Sequence, residues 1–179
     1  MTYTRWGKSS CPNSTGAQLV YSGRAGGSNH RAQGGAADII CLPDDPDYSN
    51  STLGVSVIES SKVEGVEYEL CFGPVADVCD HNAPCAVCYV PTRATVIMIP
   101  AKTVCPPSWT REYSGYLTSM LEAHYRSSYN CLDMTPEAIV GSSANVNPAL
   151  FYYTTTDCIG LACPPYENNR ILSCAVCTK

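Results

Sequence analysis

The chain has 179 residues, 45% hydrophobic and only 15% charged, with a formal net charge of −5. One sizeable core fits that composition, so a single cysteine-rich domain over 1–179 is expected. The acidic balance argues against nucleic acid or an anionic membrane as partner, and no apolar run approaches the roughly 20 residues of a membrane span.

Twelve cysteines dominate the composition. Cytosolic proteins rarely carry so many except on metals, whereas secreted domains pair them as disulfides, so a secreted, extracellular location is expected. The start, MTYTRWGKSSCP, lacks the apolar segment of a signal peptide and reads as a mature form behind an initiator Met. Two sequons, Asn13-Ser14-Thr15 and Asn50-Ser51-Thr52, fit the same compartment. The aromatic set of 12 Tyr with two Phe and two Trp has polar handles suited to wet binding surfaces.

In chain order, residues 1–16 are polar and turn-rich, and Gln18 to Tyr21 reads as a strand. Gly23 to Asp38 is a glycine-rich stretch with five Gly in sixteen residues. It lacks a GK[ST] phosphate motif and reads as an exposed loop needing positive φ, with Asn29, His30, Arg31 and Gln33 able to line a sugar pocket. Ile39–Leu42, Gly54–Glu59 and Val66–Phe72 are strand-like, the last two by β-branching or alternation. Cys85–Val90 and Ala94–Pro100 are expected to form a hairpin about the turn Pro91-Thr92-Arg93. Trp109–Tyr129 carries Leu117, Met120, Leu121 and Tyr125 at helical spacing, but its Thr, Ser and Tyr content favours a strand over about 112–120. Cys131–Met134, Ala149–Thr154 and Ile171–Cys177 complete the set. The expected fold is therefore all-β or β-rich, with disulfide-stapled antiparallel sheets and little helix. Cys85-Ala86-Val87-Cys88 recurs as Cys174-Ala175-Val176-Cys177, and Cys105-Pro106-Pro107 as Cys163-Pro164-Pro165; these echoes are too sparse to define a repeat.

Several chemistries compete for the polar residues. The two CxxC pairs would suit a four-thiolate zinc site, but eight further cysteines call for oxidative pairing instead. His81 next to Asp80 invites a hydrolase, yet there is no G-x-S-x-G elbow, and a histidine in a disulfide loop is more often structural. Calcium is the stronger case, because hard cations want clustered oxygens. Asp44, Asp45 and Asp47 concentrate carboxylates around Pro46, although an EF-hand reading fails at Asn50 and Ser56. The Asp80-His81-Asn82 loop is the other leading candidate, followed by Asp77, Glu64, Glu67 and Glu69, Asp133 with Glu137, and Glu167 with Asn168-Asn169. Asp44, Asp45, Asp47 and Asp80 are thus the expected Ca²⁺ ligands. Asn29, His30, His81, Asn82, Glu167 and Asn168 are the expected sugar contacts.

Trp6-Gly7 before Cys11-Pro12, Leu19-Val20-Tyr21-Ser22-Gly23 and Cys41-Leu42-Pro43-Asp44-Asp45-Pro46 form one part of a wider pattern. His81-Asn82-Ala83-Pro84-Cys85-Ala86-Val87-Cys88-Tyr89, Ile99-Pro100-Ala101-Lys102, Cys105-Pro106-Pro107-Ser108-Trp109 and the closing CAVCTK extend it along nearly the whole chain. The pattern resembles the short-chain-collagen-like cysteine-rich domain group of marine invertebrates, which includes a galactose-specific lectin of sea anemones. The resemblance implies a secreted, non-enzymatic, homodimeric lectin that reads terminal β-galactose on glycans through a bound Ca²⁺. A matrix or oligomerisation module without a small ligand is the competing reading. There is no Gly-X-Y repeat, so a collagen role would belong to longer relatives.

Overall fold

A computed structural model describes residues 1–48 and 60–179. The strand expected over 54–59 and the second sequon lie outside the described residues. Ten strands build the fold, with two short 3₁₀ turns at Asn13–Thr15 and Ala76–Val78 and no α-helix among the described residues. The strands are β1 (Thr2–Trp6), β2 (Gln18–Gly27), β3 (Ile40–Pro43), β4 (Glu64–Tyr68) and β5 (Pro84–Tyr89), then β6 (Val96–Pro100), β7 (Thr110–Ser119), β8 (Asn130–Asp133), β9 (Ala149–Tyr153) and β10 (Ser173–Thr178). The domain is β-rich and disulfide-stapled, as its composition requires.

The second five strands repeat the first five. In the first repeat β5 lies between β1 and β2, and β2 also pairs with β3 and β4. In the second, β10 lies between β6 and β7, and β7 also pairs with β8 and β9. Even the irregularities agree: the β2–β5 register slips between Leu19 and Tyr21, and the β7–β10 register slips between Arg111 and Tyr113. Six disulfides follow the same nested plan. Cys11–Cys88, Cys41–Cys85 and Cys71–Cys79 span 77, 44 and 8 residues, and Cys105–Cys177, Cys131–Cys174 and Cys158–Cys163 span 72, 43 and 5. The CAVC echo is therefore a true internal repeat, each copy being the central strand of its half. Identity along the sequence is too low to reveal it.

One shared motif shows why a few residues are kept. In Tyr21-Ser22-Gly23 and Tyr113-Ser114-Gly115 the glycine lies against the strand beside it. A Cβ on Gly23 would sit 1.8 Å from the Leu42 carbonyl oxygen, and one on Gly115 would sit 1.7 Å from that of Leu132. Only a residue without a side chain permits these crossings.

Two parallel contacts join the repeats: Trp6 of β1 with Leu132 of β8, and β4 with β9 from Val66–Ala149 to Tyr68–Phe151. Strands β7, β8, β1, β5, β2, β4 and β9 thereby close a circuit of ladders, with β6 beyond β10 and β3 beyond β2 as outer strands. One core cluster draws Trp6, Val66, Tyr68 and Leu70 from the first repeat and Leu132, Phe151 and Tyr153 from the second. The other packs Tyr3, Tyr113, Leu117 and Val176 around the sulfurs of Cys11, Cys88, Cys131 and Cys174.

Three expectations change. Cys85–Val90 and Ala94–Pro100 do not form a hairpin, because Pro91-Thr92-Arg93 is the passage between repeats and β6 pairs with β10. The polar opening contains β1, whose Arg5 reaches Asp133 through Nε at 2.8 Å and Nη2 at 2.7 Å. The glycine-rich stretch begins as strand, since β2 runs through Gly27. For 112–120, the strand reading prevails over the helix.

Candidate metal centre

Alternation along Val66-Glu67-Tyr68-Glu69-Leu70 sends Val66, Tyr68 and Leu70 into the core, each fully buried. It sends Glu67 and Glu69 to the other face together. That face is covered as well: Glu67 has no exposed surface. The loop ahead of β9 lies over it, and Val146 N donates to Glu67 Oε2 at 3.0 Å. Glu67 Oε1 has no partner among the described residues.

The second wall is the segment Asp80-His81-Asn82. Disulfide Cys71–Cys79 and the turn at Ala76–Val78 carry the chain round, and Asp80 reverses it with φ of 61°. Asp80 N donates to Tyr68 O and Tyr68 N to His81 O, both at 2.9 Å, which sets Asn82 directly across from Glu67. Asn82 is fixed from behind, its N donating to Ser142 Oγ at 2.9 Å and its O accepting from Ile139 N at 3.1 Å.

Carboxylate oxygens of Glu67, Glu69 and Asp80 come within 4.8 Å of one another. Two oxygens on opposite sides of one calcium are roughly 4.6–5.2 Å apart, so these groups are spaced as ligands of a single ion. Glu69 Oε1 and Asn82 Oδ1 are also buried without partners. Buried polar atoms normally find partners, and three bare oxygens, two of them on the clustered carboxylates and one on Asn82, describe a cradle short of positive charge. Burial, then the charges of Asp80 and Glu67, push the Glu69 carboxyl above its ordinary value, with His30 pulling the other way. Burial and then Glu69 and Glu67 likewise raise the Tyr152 hydroxyl. A set of hard oxygens, carboxylate and amide together, suits Ca²⁺. Cys71 and Cys79 also approach Asp80, but their sulfurs are joined to each other and offer no thiolate. All twelve cysteines are paired, which leaves none for zinc.

A cavity of about 590 Å³ lies between the loops that follow β2 and β7, and none of Glu67, Glu69, Asp80 and Asn82 lines it. Asn29, Gln33, Gly35, Glu122, His124 and Arg126 are among its lining residues. The loops are stitched by Tyr125 N to His30 O at 3.2 Å and Ser128 N to Ala37 O at 2.8 Å. Behind this wall His30 is buried, its ring 4.4 Å from that of His124, which in turn meets Tyr152 at 5.7 Å. His30 Nδ1 lies 3.1 Å from Pro148 O and Arg31 Nε donates to His30 Nε2 at 3.0 Å, so these contacts assign the proton to Nδ1. Asn29 Nδ2 donates to Glu64 Oε2 at 2.8 Å.

Of the expected metal ligands, Asp80 reaches the centre. Asp44, Asp45 and Asp47 lie on an exposed loop, Asp44 pairing with Arg24 at 3.0 Å, and none of them joins a three-ligand cluster among the described residues. Among the expected sugar contacts, Asn82 belongs to the centre and Asn29 to the cavity wall. His81 Nδ1 lies 2.8 Å from Cys79 O, a local backbone contact. Glu167 pairs with Arg170 at 3.6 Å on the exposed surface, and Asn168 Oδ1 accepts from Cys158 N at 3.2 Å. In the second repeat the bridge equivalent to Glu67–Asn82 is Thr155–Ile171, and Asn169, with φ of 57°, takes the place of Asp80. Two of the three carboxylates, Glu67 and Asp80, are thus replaced in the second repeat, where Asp157 stands at the position of Glu69. No protein-family model matches the chain.

Proposed function

We propose that the chain is a secreted, calcium-dependent lectin for galactose-terminated glycans, non-enzymatic and bivalent as a homodimer. One observation carries the metal part: Glu67, Glu69 and Asn82 each present a buried oxygen without a partner, beside Asp80. Glu67 and Asn82 would hold the ion from below, with half-buried Glu69 and Asp80 at the mouth. A calcium so placed accepts two vicinal hydroxyls in place of water, and the cis O3/O4 pair of galactose supplies them. The cavity between the loops that follow β2 and β7, with Asn29, His124 and Arg126, would offer hydrogen bonds and room for the rest of a glycan. Six disulfides support an extracellular reading, and no described helix is long and apolar enough to cross a membrane. The ring contacts of His30 and His81 with backbone carbonyls support structural rather than catalytic roles for both.

A second reading rests on the complete burial of Glu67: the ion would only brace β4 against the Asp80–Asn82 segment, as in a matrix module. Lactose binding that requires calcium supports the lectin. Calcium binding with no response to lactose supports the brace.

A further inference from the structure

The repeat leaves one contact made in the first half and unmade in the second. Past the end of β1, Gly7, Lys8 and Ser9 grip the segment that follows β8. Glu137 N donates to Gly7 O at 2.7 Å. The Glu137 carboxylate accepts from Lys8 Nζ at 3.2 Å, from Ser9 N at 3.0 Å and from Ser9 Oγ at 2.8 Å. Tyr68 OH donates to Glu137 O at 2.9 Å, and Ile139 N to Asn82 O at 3.1 Å. The first repeat's groove is therefore filled by a Pro136-Glu137 segment lent by the second.

The equivalent groove in the second repeat stands open. β6 pairs with β10 as β1 pairs with β5, which places Ala101, Lys102 and Thr103 where Gly7, Lys8 and Ser9 lie. The match extends to the backbone: Gly7 N donates to Pro84 O and Ala101 N to Ser173 O, and both residues have positive φ. Ala101, Lys102, Thr156, Arg170 and Ile171 line a cavity of about 430 Å³ here. The segment equivalent to Thr135-Pro136-Glu137 follows β3, since β3 and β8 share their register with β2 and β7. It is Asp45-Pro46-Asp47, the same pattern of proline then carboxylate, and all three residues are exposed. Among the described residues neither Asp47 nor Lys102 is in an ion pair. β3 and β6 share no ladder, and none of Asp45, Pro46 and Asp47 lines the groove, so a chain's own segment does not fill its own groove.

We infer that Asp45-Pro46-Asp47 of a second copy of this chain occupies the groove, with Asp47 on Lys102 and Thr103 as Glu137 sits on Lys8 and Ser9. The charge match is the one the molecule already makes internally between Lys8 and Glu137, and the other charges lining the groove, Arg170 and Glu167, pair with each other. Apolar side chains flank both partners, with Ile40 and Leu42 exposed on β3 and Ile97 and Met98 on β6. The sheet itself does not continue across the junction. Pro100 stands where Trp6 pairs with Leu132, and Pro43 stands at the position of Asp133; neither has an N–H to donate. Side chains alone carry the contact, which makes the association reversible and dependent on concentration. It deepens the homodimer of the proposed function by naming its contact, and it does not depend on calcium or sugar binding.

Sedimentation velocity over a wide concentration range tests it. The wild-type chain self-associates reversibly. Lys102→Glu and Asp47→Lys each raise the dissociation constant about tenfold or more, because like charges then meet in the groove. An equimolar mixture of the two variants regains association, since each supplies the intact half the other lacks. Lys102→Arg and Asp47→Glu associate as the wild type does, which separates lost charge from lost fold. A wild-type chain that stays monomeric throughout, or association that both reversals leave unchanged, overturns the inference. Lactose binding by Lys102→Glu is read in parallel: if it persists while association is lost, the two proposals separate.

Discussion

Glu67 and Asn82 face each other across a single antiparallel bridge, and each leaves one oxygen buried without a partner. Glu67 cannot turn to water, since it is fully buried, and half-buried Asn82 is held in place through its backbone by Ser142 and Ile139. A cation bound here would relieve both at once. Calcium at about 100 times its dissociation constant is expected to stabilise the fold by about 2.7 kcal/mol, because the unfolded chain has no such cradle. Thermal unfolding with calcium and with EDTA reads this directly. Glu67→Gln, which keeps the shape and removes the charge, should abolish most of the difference.

The same centre sets a pH dependence. Glu69 is raised above 4.5 by burial and by its acidic neighbours, so the folded state holds a proton there more tightly than the unfolded chain does. Its contribution to stability is complete below 4.5 and is lost as pH rises through the folded value. Without calcium, stability should therefore fall across that window, and saturating calcium should remove the fall. Glu112 and Glu137 act in the opposite sense. Burial opposes their ionisation, but hydrogen bonds outweigh it and lower both. Their contribution is present above 4.5 and lost on acidification. Denaturant midpoints against pH, with and without calcium, separate the two behaviours.

Some of this was legible in the sequence. The cysteine count and short β-branched runs gave a disulfide-stapled β domain, and the alternation in VEYEL placed Glu67 and Glu69 on one face. Nothing local says that Val146 will cover that face and bury Glu67. The clustered carboxylates Asp44, Asp45 and Asp47 drew attention because they are adjacent in sequence, whereas the centre is built from positions brought together by a bridge and a disulfide. β1 is hidden in the sequence because Thr2, Thr4 and Arg5 look like loop residues until Asp133 and β5 supply their partners. The repeat is hidden because its invariants are pairings: Arg5 and Ile99 occupy the same register position, as do Trp6 and Pro100.

The duplicated glycines make a symmetric prediction. Gly23→Ala and Gly115→Ala each drive a methyl into a backbone oxygen, and neither strand can retreat without breaking its ladder. Both should rank among the most damaging substitutions, above about 4 kcal/mol. Yield of folded protein and urea midpoints compare them. An innocuous change at either site would contradict the register.

Disulfides should differ in worth by loop length. Replacing Cys11 and Cys88 with Ala opens a 77-residue span, and replacing Cys158 and Cys163 opens one of 5 residues. Loop entropy gives about 4.5 against about 2 kcal/mol. Guanidinium unfolding of the two double variants checks the order.

Arg93 and Glu112 form the most enclosed ion pair among the described residues, at 2.7 Å with Glu112 fully buried. Thr178 Oγ1 at 2.6 Å and Tyr3 OH at 2.9 Å complete the shell of Glu112. Arg93→Ala should cost about 3–5 kcal/mol by stranding a buried charge, and adding Glu112→Gln should recover part of it. Urea unfolding of the single and double variants measures the recovery.

Isothermal titration of lactose into the protein, first with calcium and then with EDTA, tests the lectin claim most directly. Heat that appears only with calcium, and that Glu67→Gln removes, is the expected result. No heat in either condition would contradict the claim, and equal heat in both would remove the metal from it.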